Sequence, residues 1–97
     1  RNAERNAVAE VTEFIQGSTV PSGEQFDLVV ANILAPVLLD LCDPIVRSVE
    51  PGGTVILSGF RINRREEVIN RYVSGGCRLS EDLVLKGWCG VVMTKKQ

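Results

Sequence analysis

Phe26-Asp27-Leu28-Val29-Val30-Ala31-Asn32 is a near-continuous apolar run that ends on an amide and meets Pro36 shortly afterwards. A run without polar alternation suits a strand buried on both faces of a parallel sheet. Pro36 suits the first turn of a helix, where its missing N–H is not needed. Val37 to Ser48 continues that helix, with Leu38, Leu41, Cys42 and Ile45 on one stripe. Glu50-Pro51-Gly52-Gly53 stops it and turns the chain, and Thr54-Val55-Ile56-Leu57-Ser58-Gly59 reads as a second buried strand. A strand, a helix and a strand in this order predict an α/β fold.

The same reading extends outward in both directions. Downstream, Asn63 is placed to cap a helix over Arg64 to Ser74, with Val68, Ile69, Tyr72 and Val73 facing inward. Gly75-Gly76 ends that helix. Arg78 to Leu85 and Trp88 to Thr94 flank Lys86-Gly87 as an antiparallel hairpin. Upstream, Arg1 to Val8 reads as the end of a helix, Val11 to Gln16 as a short strand and Gly17 to Gln25 as a loop. The whole predicts a doubly wound sheet made mixed by its closing hairpin.

Composition narrows the chemistry. The 97 residues carry 11 basic and 12 acidic side chains, a formal net charge of -1. That balance supplies no general field for nucleic acid or for an anionic membrane surface. The apolar runs are too short to span a bilayer. Cys42, Cys77 and Cys89 are odd in number and have no C-x-x-C spacing, which argues against a disulfide framework or a metal site. They read as small buried apolar residues in a reducing compartment. There is no histidine. The usual general base, the Ser-His and Cys-His nucleophile pairs and the commonest metal ligand are therefore all missing. Chemistry in this chain must rest on positioning rather than on proton shuttling.

Three segments together carry a resemblance. They are Phe26 to Ala35, Glu50-Pro51-Gly52-Gly53-Thr54-Val55-Ile56-Leu57-Ser58-Gly59, and Gly87-Trp88 opening the last strand. Asn2-Ala3-Glu4-Arg5-Asn6 adds to it. The pattern is similar to bacterial ribosomal protein methyltransferases, the family that methylates large-subunit protein L-eleven, within the superfamily that uses S-adenosylmethionine. The resemblance implies a partial Rossmann-like class I methyltransferase sheet. It supplies equivalents of the superfamily's strands 3, 4, 5, 6 and 7, closed by a C-terminal antiparallel hairpin. The superfamily's Gly-rich turn after its first strand is not in the sequence, nor is the acidic residue that ends its second strand. Residues 1–97 are thus expected to be the C-terminal part of a single catalytic domain, with the Gly-rich cofactor loop absent.

In the superfamily's sheet the first and second strands lie between the third and the fourth. Val11 to Gln16 matches the third and Phe26 to Asn32 the fourth, so a gap of about 14 Å is expected between them. Two arrangements would close it: direct pairing of these strands, or edge-strand self-association of two chains. The intervening loop reaches roughly 30 Å, enough for either.

The resemblance also implies roles. Asn32 is the expected catalytic residue: its side-chain carbonyl accepts an N–H bond from the target amine, and the backbone carbonyl of Ile33 accepts another. Leu34 either packs or walls the acceptor channel. Gly17 and Ser18, with Asn32, are expected on the cofactor side, where Ser18 would meet the adenine. Plainer readings stand beside these. Asn32 closes a turn or caps the following helix, although Pro36 at the first helical position would make Ala35 the cap. Ser18 belongs to an ordinary turn. Ser58 has no base to activate it. Trp88 packs in the core rather than stacking on a ligand. Arg61, Arg64 and Arg65 form a solvated helix start or a contact for a partner or ribosomal RNA.

The function expected for the parent is methyl transfer from S-adenosylmethionine to lysine or α-amino groups of a ribosomal protein. The expected compartment is the cytoplasm or an organelle matrix. The chain alone is expected to show no turnover. The alternatives are a non-catalytic folded or partner-binding module, and a methyltransferase for another amine or a nucleic-acid acceptor.

Overall fold

The central pair of the sheet is β3 (Phe26–Asn32) and β4 (Val49–Arg61), which run parallel. The computed structural model describes residues 8–14, 17–18 and 25–97, the first two stretches as backbone only. With β1 (Val8–Phe14), β2 (Gly17–Ser18), β5 (Cys77–Leu85) and β6 (Trp88–Lys95) it forms a six-stranded mixed sheet in the order β2-β1-β3-β4-β6-β5. Of the helix expected over Arg1 to Val8 and the loop expected over Gly17 to Gln25, residues 1–7 and 19–24 lie outside the described residues, while Val8 and the pair Gly17-Ser18 are strand. The first strand starts at Val8 rather than at Val11, and residues 15–16 are not described.

β1 lies directly against β3 in parallel register, Val8 opposite Leu28 and Thr12 opposite Asn32. This is the first of the two ways in which the gap was expected to close. Beyond it, the order β3-β4-β6-β5 follows the fourth, fifth, seventh and sixth strands of the superfamily's sheet.

Three helices pack together on one face of this sheet: α1 (Ala35–Asp40), α2 (Cys42–Arg47) and α3 (Arg65–Ser74). Beneath them Val29 and Ala31 of β3, Val55 and Leu57 of β4, and Cys89, Val91 and Met93 of β6 are buried at alternate positions, as the two-residue strand period requires. The intervening Val30, Ile56 and Val92 are only half-buried. The central strands are therefore not buried on both faces as their apolar composition suggested. Among the described residues the helices cover one face only.

Several local expectations shift for identifiable reasons. The single helix over 37–48 is two short ones hinged at Leu41. Pro44 explains this, because its ring crowds the carbonyl four residues back and it offers no N–H. Asn63 sits in a 3-10 turn (Ile62–Arg64) and caps nothing, while Arg64 precedes α3 without a side-chain bond. The chain is held there instead by the Ile62 N–H, which donates to the Gly87 carbonyl at 2.9 Å. Val68, Ile69 and Tyr72 are buried as expected, but Val73 is exposed. The Glu50-Pro51-Gly52-Gly53 turn survives as an irregularity inside β4. Phe26 to Leu28 on one strand faces Val49 to Thr54 on the other. Lys86 and Gly87 both take positive φ, 52° and 81°, the two-residue turn that matches the twist of a hairpin.

Candidate functional site

The ends of β3 and β4 lie side by side, with Asn32 opposite Ser58. One step on, the Ile33 N–H donates to the Ser58 carbonyl at 3.0 Å. β6 runs the other way and so begins at this same rim, Gly90 opposite Ser58 and Trp88 opposite Arg61. Asn32, Ser58, Gly59 and Gly90 floor an open groove of about 530 Å³ whose remaining walls are Cys89, Trp88, Leu83 and Leu85. One end is polar and the walls are apolar. Leu83 is 74% exposed, Leu85 69% and Trp88 47%, although all three are large hydrophobic residues.

Asn32 ends β3 with its residue exposed toward this groove. No side-chain hydrogen bond engages it among the described residues. The capping alternative does not hold. The N-cap of α1 is Leu34, no side chain bonds there, and Pro36 falls in the second helical position rather than the first. The cap therefore stands one residue earlier than the proline suggested.

Ile33 is buried, and its backbone carbonyl turns toward Gly59. A Cβ built on Gly59 would stand 2.6 Å from Asn32 Oδ1 and 2.9 Å from the Ile33 oxygen. Both oxygens therefore lie against the Gly59 Cα, and so close to each other. Leu34 is 57% exposed and does not line the groove; its carbonyl accepts the N–H groups of Val37 and Leu38, each at 3.0 Å. Gly17 and Ser18 pair with Phe14 and Glu13 at the same end of the sheet. With β1 between them and Asn32, two strand spacings separate the positions laterally, about 10 Å.

The three arginines at the end of β4 and the start of α3 have structural partners. Arg61 stacks 4.9 Å over the Trp88 ring, Arg64 pairs with Glu67 at 2.7 Å, and Arg65 pairs with Asp82. The basic cluster at the start of the helix is therefore tied into the fold. Trp88 is not a core residue: it stands on the groove wall with Arg61 behind it. Cys89 borders the groove, but its side chain belongs to the buried core, and burial pushes its thiol up so that it remains neutral.

The groove thus joins the Asn32 amide to an apolar wall, while Ile33 is buried behind Gly59 and does not line it. These residues do not complete the cofactor side, since no glycine-rich strand-to-helix turn occurs in the sequence. Of the residues singled out from the sequence as acceptor-binding, Asn32 lines the groove and Ile33 and Leu34 do not; Gly59, Leu83 and Leu85 line it and were not singled out. The only available signals were a glycine ending a strand and apolar residues alternating in an edge hairpin.

A mixed α/β sheet with its open site at the carboxyl ends of the parallel strands is the Rossmann-like fold of class I methyltransferases. The crystal structure of a ribosomal protein L11 methylase from Lactobacillus delbrueckii subsp. bulgaricus superposes with a TM-score of 0.73 at 28% identity, over 78% of this chain and 40% of that one. The N-methyltransferase NodS from Bradyrhizobium japonicum, solved with S-adenosyl-L-homocysteine, shares the fold at a TM-score of 0.59 and 18% identity, over 81% of this chain and 50% of that one. A family model of the ribosomal protein L11 methyltransferase (PrmA) matches residues 1–96, and the chain belongs to that family. The ribosomal protein L11 methyltransferase of Brucella abortus (strain S19) is 38% identical over 98 residues, which cover 96% of this chain and 34% of that protein. The chain thus spans about a third of the length of the curated relatives it matches.

Proposed function

We propose that this chain is the acceptor-binding, C-terminal part of a single methyltransferase catalytic domain. The complete protein would methylate amino groups, on lysine or at an α-amino terminus, of a ribosomal protein. Family membership and the relatives' names support this reading, as does the geometry at the rim. The observation that carries it is the closeness of Asn32 Oδ1 and the Ile33 carbonyl to Gly59, where Asn32 and Gly59 line the groove. S-adenosylmethionine, when bound, supplies a methyl group on a positively charged sulfonium, so the protein need not activate a leaving group. The protein's part is to fix a neutral amine in line. Asn32 and Ile33 each accept one N–H, which leaves the nitrogen lone pair directed away from the carbonyls. Leu83, Leu85 and Trp88 would sheathe the alkyl stem of the acceptor and keep water from the nitrogen. Asn32 also borders the methyl end of the cofactor site, with Gly17 and Ser18 toward its adenine. The work would be done where ribosomal proteins are made, in the cytoplasm or an organelle matrix.

A second reading has its own support. Without a glycine-rich turn, the chain by itself is a folded module with no turnover. Titration of the isotope-labelled chain with S-adenosylmethionine, followed by amide NMR, separates the two. Shifts at Gly17 to Ser18 and at Ala31 to Ala35 are expected for the methyltransferase reading. A folded chain with no shift at millimolar cofactor points to the module.

A further inference from the structure

We propose that Gly59 is the positioning residue that seats the two acceptor carbonyls, a role resting on the reading of Asn32 and Ile33 as amine acceptors. Gly59 has φ +93°, a conformation that side-chain-bearing residues rarely adopt. It is also the extra residue of a β-bulge: Ser58 faces Gly90 and Phe60 faces Cys89, so Gly59 has no partner on β6. Bulges of this kind re-aim the chain at the edge of a site. Here the bulge presses the bare Cα of Gly59 against the end of β3. A methyl group at that point would meet Asn32 Oδ1 at 2.6 Å, and the Ile33 nitrogen and oxygen each at 2.9 Å.

Two contacts therefore fix Ile33 from neighbouring residues of β4. The Ser58 carbonyl holds its N–H, and Gly59 flanks its carbonyl. The other rim glycine makes the point by contrast. A Cβ on Gly90 would meet nothing nearer than 3.7 Å, ordinary contact. Gly76 supplies the control, because it has φ +107° but nothing within 4 Å of its Cβ position. Alanine at 76 carries backbone strain alone, whereas alanine at 59 carries strain and displaces the acceptor pair.

The test is NMR on the labelled chain with Nα-acetyl-lysine methylamide as the amine probe. In the unsubstituted chain an NOE between the Gly59 Hα protons and the Asn32 side-chain amide is expected, with Asn32 in one χ1 rotamer. Gly59→Ala should average that rotamer and weaken probe binding by up to about tenfold, as the loss of one aligned hydrogen bond does. Gly76→Ala should leave both readouts unchanged. A missing NOE with averaged Asn32 rotamers in the unsubstituted chain overturns the proposal, and that measurement stands even if Gly59→Ala does not fold. So does a Gly59→Ala chain that keeps the rotamer and binds the probe within twofold of the original. A probe that shifts no resonance in any of the chains removes the acceptor reading itself, and the positioning role with it.

Discussion

Asn32 and Gly59 are 27 positions apart in the chain, yet the proposed acceptor site depends on their contact. The consequence for stability can be separated from that for binding. Alanine at a positive φ costs on the order of 1 kcal/mol, which is the whole expected effect at Gly76. At Gly59 the approach to Asn32 and Ile33 adds to the strain, so Gly59→Ala should cost about 2–3 kcal/mol in urea denaturation. Truncating the neighbour relieves part of this. In an Asn32→Ala background the cost of Gly59→Ala should shrink by about 1 kcal/mol, a coupling that a double-mutant cycle reads directly. Additive effects would mean that the two side-chain positions do not touch. The place of Asn32 at the end of an apolar strand was legible in the sequence, whereas its expected role came from the family resemblance alone. Gly59 was not legible, because a glycine ending a strand has the same spelling whether it faces solvent or another strand. Trp88 was misread for a related reason. An edge hairpin exposes aromatic residues that composition alone assigns to a core.

At the scale of elements, the central strands and the hairpin were legible, whereas β2 was read as loop and the bounds of β1, β4 and the helices were less so. The two-residue turn was written in Lys86-Gly87 between apolar runs, and both residues take the positive φ that such a turn needs. Lysine is the poorer of the two for that conformation. Lys86→Asn should therefore raise the unfolding free energy by a few tenths to about 1 kcal/mol, and Gly87→Ala should lower it by about 1 kcal/mol. A neutral or destabilising Lys86→Asn, measured by thermal unfolding, would show that the turn strain is not felt. The start of α3 shows why the capping signal failed. Asn63 is a good cap by type, but the Ile62 N–H bond to Gly87 sets the path of the chain through a 3-10 turn. A tertiary bond outweighed a local preference. Pro44 is the opposite case: the information was local, and the proline alone splits the predicted helix at Leu41.

For the whole molecule, the core lies between one face of the sheet and three short helices, and its ionisable members are protonated there. Tyr72 is fully buried with its hydroxyl donating to the Leu38 carbonyl at 2.8 Å, and burial raises its pKa. Burial also pushes the Cys42 thiol up from 9.0 to about 11, against the opposing pull of Arg71, and raises Cys77 against Lys95. The neutral thiol is thus favoured in the folded chain more than in the unfolded one. Below pH 9 both states hold the proton and the stabilisation is present in full. Between pH 9 and 11 the unfolded chain loses its proton while the folded chain keeps it, so stability falls as pH rises. For Cys42 the loss is on the order of 2–3 kcal/mol across that window. Lysines titrate in the same range, so the comparison that isolates the thiol is with Cys42→Ala. Urea midpoints measured from pH 8 to 11.5 under reductant should fall for both chains, and less steeply for Cys42→Ala. Parallel curves would place the alkaline sensitivity outside this helix–sheet interface. A flat profile for the unsubstituted chain would mean that the thiols and Tyr72 are not enclosed as the fold requires.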